Sequence, residues 1–265
     1  MRKEWNPTHV PTVQRFMLSD AFLRFLMGPF GSGKSVGCVQ EIVKRAAMLA
    51  PNEDNKRRTR FAVIRNTYRQ LQDTTIRTFL DWYQDRVWGT YKVADTEFLM
   101  KFQLPDETVV ECEILFRALD RPDQVGNLLS LELTGAWCNE AREMPKEIWD
   151  ALQGRVGRFP SMAEGGCTWH GIFADSNPPD DDHWLYETFE VLRPDNAEAF
   201  YQPSGLSARA ENVPNLPKNY YKNMVKGKSN DYIRVYIEGK YGYVQDGKPI
   251  YPEFNDQIHT AQDPI

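Results

Sequence analysis

The stretch Gly28-Pro29-Phe30-Gly31-Ser32-Gly33-Lys34-Ser35 matches the pattern G-x-x-x-x-G-K-[ST]. Its glycines let the backbone curl so that successive N–H groups point at phosphate oxygens, and a helix after it adds the positive end of its dipole. In such a loop the lysine reaches the β- and γ-phosphates and the hydroxyl after it binds Mg²⁺. Residues 28–35 are therefore predicted to be a phosphate-binding loop (P-loop) for ATP, with Lys34 at the transferred phosphate and Ser35 at the metal.

The sequence on either side of the P-loop fits this prediction. Residues 20–27, DAFLRFLM, are an apolar run that predicts a buried strand, and residues 34–49 predict a helix that ends before Pro51. A glycine-rich stretch without such neighbours would be an ordinary flexible loop. Here a strand and a helix stand where phosphate binding requires them, which favours the functional interpretation.

Apolar runs and amphipathic stretches alternate along the rest of the chain. Strands are predicted at residues 61–65, 97–102, 108–116, 131–138 and 169–174, with a hairpin turn at residues 105–107. Helices are predicted at residues 67–86, 145–152, 183–192 and 218–238, and a solvated loop at residues 52–60. This alternation predicts an α/β fold, a RecA-like (ASCE) P-loop NTPase with a mostly parallel central sheet flanked by helices.

The composition limits the kinds of partner. The chain has 265 residues, enough for a sizeable core, and a formal net charge of −5. A protein that binds nucleic acid by charge alone is usually basic, so DNA contact here would need a local basic patch or another domain. The four cysteines show no C-x-x-C pair, and no apolar stretch is as long as a membrane span. We expect a soluble intracellular protein with reduced thiols, no zinc site and no membrane partner.

A polar pair, Asn139 and Glu140, ends the predicted strand at residues 131–138. In RecA-like ATPases the first residue of this pair is normally an aspartate that holds Mg²⁺ through water, and the second is a glutamate that activates the attacking water. The amide oxygen of Asn139 could accept a hydrogen bond from a metal-bound water but carries no charge; Asp175 is the other carboxylate that could serve the metal. Glu140 is predicted to be catalytic, and the alternative is a strand-end carboxylate that faces solvent.

A second polar pair, Ser176 and Asn177, follows the predicted strand at residues 169–174. A polar side chain at this strand end could sense the γ-phosphate or the attacking water. The sequence Ser-Asn-Pro-Pro is also typical of an ordinary turn. Spacing alone leaves both interpretations open.

With these pieces in order, the chain resembles the large subunit of the terminase of tailed bacteriophages, the motor that pumps DNA into a procapsid and cuts it. The matching strings are GPFGSGKS at 28–35, TGAWCNEARE at 134–143, GRVGRFP at 154–160 and DSNPP at 175–179. The resemblance implies ATP hydrolysis with Mg²⁺ and assigns Ser176 and Asn177 to the coupling motif of the family. It also implies that Gln14 reads the adenine edge; without the resemblance, Gln14 would be a surface residue of a helix.

The resemblance further implies the organisation and the partners of the protein. Residues 1–245 would be the ATPase motor domain, and residues 246–265 an extended tail toward a nuclease domain absent from this chain, so that no nuclease activity is expected from it. The expected partners are double-stranded DNA, the portal protein and the small terminase subunit, with self-assembly into a ring, expected to be a pentamer, on the procapsid. The protein is expected in the host cytoplasm, docked transiently at the portal, and not in the mature virion.

One part of the family pattern is missing. Many members carry an arginine inside the P-loop, and residues 29–32 contain none. An arginine at the γ-phosphate stabilises the charge that develops in phosphoryl transfer, so a neighbouring subunit is expected to supply it. The first candidates are Arg155 and Arg158, in a loop with flanking glycines, and the second are Arg117 and Arg121. Arg155 and Arg158 could equally grip the DNA backbone.

Three other functions compete with a packaging motor. A helicase-like or other DNA-dependent ATPase shares the same core, but too few residues follow Asn177 for a second helicase core domain. A small-molecule kinase would carry a lid with several arginines and gives no role to Glu140. A non-enzymatic binding module is disfavoured by the joint presence of Lys34, Ser35 and Glu140. Stimulation of ATP turnover by linear DNA or by a small acceptor would separate these functions.

Overall fold

Parallel strands form the centre of the protein. The computed structural model describes residues 4–119 and 125–243. The strands of these residues are β1 (Leu23–Met27), β2 (Lys56–Arg65), β3 (Gly89–Lys92), β4 (Glu97–Gln103), β5 (Val109–Ala118), β6 (Gly135–Asn139), β7 (Gly171–Ser176) and β8 (Ala197–Tyr201). They form one sheet in the order β3-β4-β5-β2-β6-β7-β1-β8.

The strand directions bring the predicted site residues to one edge of the sheet. Six strands pair in parallel, and β3 and β4 add an antiparallel hairpin next to β5. The carboxyl ends of the six parallel strands therefore share one edge, which is where open α/β sheets bind ligands. β7 lies between β1, which leads into the P-loop, and β6, which leads into Glu140. The predicted RecA-like α/β fold with a mostly parallel sheet is confirmed.

Helices cover both faces of the sheet. The α-helices of the described residues are α1 (Pro11–Leu18), α2 (Lys34–Met48), α3 (Tyr68–Gln70), α4 (Arg77–Trp82), α5 (Val125–Leu129), α6 (Lys146–Gln153), α7 (Trp184–Tyr186), α8 (Tyr220–Met224) and α9 (Asn230–Tyr232). Single π-helical turns, Leu71–Ile76, Glu187–Leu192 and Ile233–Ile237, continue α3, α7 and α9. Among these residues no helix has the length and apolar character needed to cross a membrane.

Two hydrophobic clusters fill the space on the two faces of the sheet. Alternate residues of β1 divide between them: Leu26 belongs to the cluster formed with α1, α2 and α4, whereas Phe25 and Met27 belong to the cluster formed with α6 and α7. Because side chains alternate along a strand, a strand buried on both faces has an unbroken apolar sequence. The apolar run at residues 20–27 has this origin.

The segment at residues 52–60 was predicted as a solvated loop, and this prediction is wrong for its second half. β2 begins at Lys56, and the basic side chains of this half pair with carboxylates elsewhere in the fold. Arg60, for example, donates to Glu113 of β5, with Nε and Oε2 2.6 Å apart. Cross-strand ion pairs let a charged sequence form a strand, and they leave no apolar alternation from which to recognise it.

Two strands and one helix break were not predicted. β3 and β8 lie at the two edges of the sheet and bury few side chains, so neither has a strong apolar pattern. The helix predicted at residues 218–238 is interrupted between α8 and α9, where Gly227 takes a left-handed conformation with φ of 69°. The predicted boundary between residues 245 and 246 lies outside the described residues.

Candidate functional site

The P-loop joins the carboxyl end of β1 to the first turn of α2. Gly31 and Gly33 have φ of 70° and 85°, a left-handed conformation that favours glycine. Lys34 folds back over the loop, where its Nζ donates to the carbonyl oxygens of Gly28 at 3.0 Å and Pro29 at 2.8 Å. Burial lowers the pKa of Lys34, and the negative charges of nearby carboxylates oppose this shift. The lysine is thus held at the mouth of the loop by backbone groups that a phosphate could displace.

Side chains from the C-terminal third of the chain hold the P-loop in shape. Gln202 Nε2 donates to the carbonyl oxygen of Ser32 at 2.8 Å, Asn212 Nδ2 to that of Gly31 at 2.7 Å, and the Tyr221 hydroxyl to that of Phe30 at 2.9 Å. These bonds use three carbonyl groups of the loop, whereas the N–H groups of Gly28 and Phe30 donate to the carbonyl oxygens of Ser176 at 3.3 Å and Tyr236 at 2.9 Å. The three side-chain donors were not predicted from the sequence, because they lie in segments without a motif.

The end of β6 does not present Asn139 as predicted. Its Oδ1 accepts a hydrogen bond from the Thr75 hydroxyl at 2.7 Å, and its Nδ2 donates to Asp175 Oδ1 at 2.9 Å. Ser35, which was predicted at the metal, donates from Oγ to Asp175 Oδ2 at 2.8 Å. The amide oxygen of Asn139 therefore points away from Ser35, contrary to the prediction that it meets a metal-bound water. The carboxylate beside Ser35 belongs to Asp175.

Glu140 begins the turn after β6 and is only half-buried. Its φ of 53° and ψ of 54° are left-handed, a strained conformation for a residue with a side chain. Its Oε2 accepts the backbone N–H of Asn177 at 3.5 Å. Burial raises the pKa of Glu140, the Lys34 ammonium lowers it, and the Asp175 carboxylate raises it, with a net upward shift. A carboxylate with a raised pKa, close to the P-loop lysine, suits proton transfer from water.

Ser176 and Asn177 lie between the P-loop and Glu140. Asn177 Nδ2 donates to the carbonyl oxygen of Gly28 at 2.8 Å, and Ser176 Oγ accepts the backbone N–H of Arg142 at 3.3 Å. Both residues are buried. The pair thus links the strand end of β7 to the loop before α2 and to the turn after Glu140, an arrangement that an exposed Ser-Asn-Pro-Pro turn would not have.

Gln14 does not reach this region. It lies on the exposed side of α1. A cavity of about 600 Å³ opens instead beside Gly33, and its lining residues are Glu4, Trp5, Asn6, His9, Val10, Gly33, Val36, Trp82, Asn212 and Asn215. Gln14 is not one of them, so its predicted contact with the adenine edge finds no support in this geometry.

The candidate arginines lie away from the P-loop of their own chain. The backbone of Arg155 accepts the N–H of Leu133, and that of Arg158 donates to the carbonyl oxygen of Leu133, just before β6 begins. Six residues of extended chain separate Leu133 from Asn139, or roughly 20 Å at the usual rise. Arg117 is paired with Glu97 at 2.8 Å, and Arg121 lies outside the described residues.

Known proteins resemble the chain in sequence and in fold. A family model of the phage terminase large subunit matches residues 20–240. A search of curated proteins found no match. The fold is similar to the large terminase of a thermophilic bacteriophage in complex with ADP, with a TM-score of 0.67 at 14% identity over 88% of this chain and 52% of that chain.

Two further solved structures share the fold. The ATPase domain of the large terminase of Thermus phage P74-26 has a TM-score of 0.58 at 15% identity, over 89% of this chain and 97% of that domain. The large terminase of bacteriophage HK97 has a TM-score of 0.59 at 12% identity, over 90% of this chain and 51% of that chain. The chain thus spans about half the length of the full-length terminases it matches. Since the family model matches most of its residues, the chain belongs to the phage terminase large subunit family.

Proposed function

We propose that this chain hydrolyses ATP to ADP and phosphate and that hydrolysis powers the translocation of double-stranded viral DNA into a procapsid. The observation that carries the proposal is the convergence of Lys34, Ser35 and Glu140 at one edge of the sheet. The charge of Glu140 raises the pKa of Lys34, and the charge of Lys34 lowers the pKa of Glu140. Ser35 donates a hydrogen bond to the carboxylate of Asp175. Membership of the terminase family connects this site to DNA packaging.

Each residue has a role that its position supports. Lys34 would exchange its backbone partners for the β- and γ-phosphates, and the N–H groups of the P-loop would bind the same phosphates. Glu140 would take a proton from the attacking water, and Asn177 would link the phosphate end of the site to Glu140. Bound Mg²⁺ would neutralise charge on the phosphates, and the oxygen atoms of Ser35 and a neighbouring carboxylate fit its ligand preference.

The cavity beside Gly33 is the place for the base and ribose of the nucleotide. It adjoins the P-loop and contains two indole rings, Trp5 and Trp82, with polar side chains such as Asn212 and Asn215. Apolar walls with a few fixed polar groups are typical of small-molecule sites. A structure of similar fold has been solved with ADP bound.

We further propose assembly into a ring, and the absence of an arginine from the P-loop supports it. The backbones of Arg155 and Arg158 are bonded to Leu133, before the amino end of β6, whereas the P-loop lies at the carboxyl ends of the strands. An arginine finger from these residues would therefore have to enter the site of a neighbouring copy, as in a ring on the procapsid portal. Under this proposal the protein works in the host cytoplasm with DNA, the portal protein and the small terminase subunit as partners.

The proposed function is tested by ATP turnover with and without linear double-stranded DNA. We expect DNA to stimulate phosphate release, small hydroxylated acceptors to have no effect, and Lys34→Ala to abolish turnover while the fold is kept. Transfer of phosphate to a small acceptor, or turnover indifferent to DNA in the assembled motor, would contradict the proposal.

A further inference from the structure

The ends of β6 and β7, beside the P-loop, carry their carboxylates at positions that differ from the usual RecA-like arrangement. The position before Glu140, where RecA-like ATPases normally have an aspartate, holds Asn139. The sheet register pairs Asn139 of β6 directly with Asp175 of β7. Directly paired residues of neighbouring strands project to the same face. The carboxylate missing from β6 is therefore present one strand closer to the P-loop.

Asp175 is fully buried, and its carboxylate accepts three hydrogen bonds. Oδ2 accepts one from Ser35 Oγ at 2.8 Å. Oδ1 accepts one from Trp137 Nε1 at 2.8 Å and one from Asn139 Nδ2 at 2.9 Å. All three donors are neutral, and across residues 4–119 and 125–243 no ion pair includes Asp175. A buried carboxylate is costly unless positive charge compensates it, and the Lys34 ammonium interacts with this one through space without forming an ion pair among the described residues.

Asn139 is turned the wrong way to hold a cation. Its oxygen is bound to the Thr75 hydroxyl, and its Nδ2 faces Asp175 and, at 3.4 Å, Ser35 Oγ. An amide NH₂ group donates hydrogen bonds and has no lone pair to offer a metal or its water. Asn139 therefore orients the carboxylate of Asp175 and does not replace it.

We infer that Asp175 is the carboxylate that holds Mg²⁺, through water, beside the Ser35 hydroxyl, and that Asn139 and Trp137 are positioning residues. This inference rests on the proposed ATPase function. Mg²⁺ in nucleotide sites keeps several waters and is bound by one or two carboxylates together with phosphate oxygens. The acidic pair of the usual RecA-like site is thus divided between two strands, with the metal carboxylate on β7 and the base on β6.

The test compares the binding of a fluorescent, slowly hydrolysed ATP analogue in Mg²⁺ and in EDTA. Three variants are needed: Asp175→Asn, the swap Asn139→Asp/Asp175→Asn, which moves the carboxylate back to β6, and Asp181→Asn, an exposed control. Asn139→Asp alone is unsuitable because it would set two carboxylates in contact. Mn²⁺ bound in the presence of the analogue, measured by electron paramagnetic resonance, reports the metal directly.

Asp175→Asn should weaken Mg²⁺-dependent binding by about 10- to 100-fold, the usual effect of removing a group that supports a metal site through its ligands. Binding in EDTA should not change, and the swap should recover most of the Mg²⁺ effect and the Mn²⁺ signal. If circular dichroism shows that Asp175→Asn is unfolded, the swap alone decides, because it retains one carboxylate at the paired positions 139 and 175. A full Mg²⁺ effect in Asp175→Asn, or a folded swap without one, overturns the inference. Wild-type protein that binds no nucleotide either in Mg²⁺ or in EDTA would instead overturn the proposed function, and the inference with it.

Discussion

The carboxyl ends of β6 and β7 lie side by side, and each carries one carboxylate, yet the two groups differ in physical character. Asp175 is fully buried inside a regular strand and accepts three hydrogen bonds of 2.8–2.9 Å. Glu140 lies one residue beyond its strand, in a left-handed conformation, half-buried, with one weak hydrogen bond of 3.5 Å. Three hydrogen bonds hold the carboxylate of Asp175, and one holds that of Glu140.

The difference fits two separate tasks. A group that holds a metal has to keep one geometry, which neighbouring hydrogen bonds supply. A general base has to approach a water and accept a proton, so it needs access to the substrate and few competing partners. Under the inferred assignment of Asp175 to the metal, the RecA-like acidic pair is not contiguous, because the ends of two neighbouring parallel strands supply its two members.

The largest effect should come from the less constrained carboxylate. Glu140→Gln keeps the size of the side chain and removes its basicity, so hydrolysis should slow by at least ~10²-fold, the usual scale for a general base. Binding of the ATP analogue in Mg²⁺ should remain. Phosphate release and analogue binding measured on the same preparation check both expectations.

Glu147→Gln, in the exposed first turn of α6, is the matched control and should leave both quantities unchanged. If Glu140→Gln lost Mg²⁺-dependent nucleotide binding as well as hydrolysis, the assignment of the metal to β7 and of the general base to β6 would be wrong. Near-normal turnover would remove Glu140 from the role of base.

Much of this site could be predicted from the sequence, since its main parts are contiguous. The P-loop is one string of eight residues, and Glu140 directly follows an apolar strand. The contacts of Asp175 could not be predicted, because they depend on the register between β6 and β7, which are more than thirty residues apart in the chain. From the sequence, Asp175 is only an alternative to Asn139 as the residue that serves the metal.

The parts of the fold that escaped prediction share a physical cause. β3 and β8 are edge strands that bury little, and Lys56–Arg60 is held in β2 by charged partners. Three side chains, those of Gln202, Asn212 and Tyr221, donate hydrogen bonds to P-loop carbonyl oxygens from segments without a sequence motif. Stabilisation of these kinds comes from the tertiary structure and leaves no periodicity in the sequence.

The pH dependence of hydrolysis should report the end of β6. Burial raises the pKa of Glu140 above its ordinary value of 4.5. Because only the ionised form accepts a proton, activity should fall about tenfold per pH unit below the raised pKa. The acid limb of the rate profile should therefore begin above pH 4.5 and should be absent from the residual activity of Glu140→Gln. Circular dichroism across the same range excludes acid unfolding; a limb retained by Glu140→Gln would assign it to another group.

The end of β7 can be loosened without removing its charge. Trp137→Phe deletes the N–H that donates to Asp175 Oδ1 and leaves a small cavity. Loss of a hydrogen bond to a charged group, together with the cavity, should lower the free energy of unfolding by about 2–4 kcal/mol. Mg²⁺-dependent nucleotide binding should weaken several-fold, and the Mg²⁺ titration measures it.

Trp169→Phe is the control for the change of ring. Trp169 is a partly buried indole whose Nε1 has no hydrogen-bond partner among the described residues. The substitution should cost some stability and leave the Mg²⁺ titration in place. Equal Mg²⁺ titrations for the two tryptophan variants would mean that the indole N–H does not orient Asp175.

The smallest effect on metal use is expected from Thr75→Val, and its direction separates two roles for Asn139. The substitution removes the hydroxyl that donates to Asn139 Oδ1, a contact of 2.7 Å between buried groups. An unpaired buried amide oxygen should lower the free energy of unfolding by about 1–3 kcal/mol.

The Mg²⁺ titration then separates the two roles. If Asn139 only orients Asp175, its NH₂ group still donates to the carboxylate, and the titration should shift little, toward weaker Mg²⁺-dependent nucleotide binding. If the oxygen of Asn139 serves the metal after all, its release from Thr75 should make the titration tighter. Thr188→Val, in the buried turn after α7, is the control for the loss of a threonine hydroxyl and should leave the titration in place. A tighter titration in Thr75→Val alone would return the metal to the end of β6 and leave Asp175 as its support.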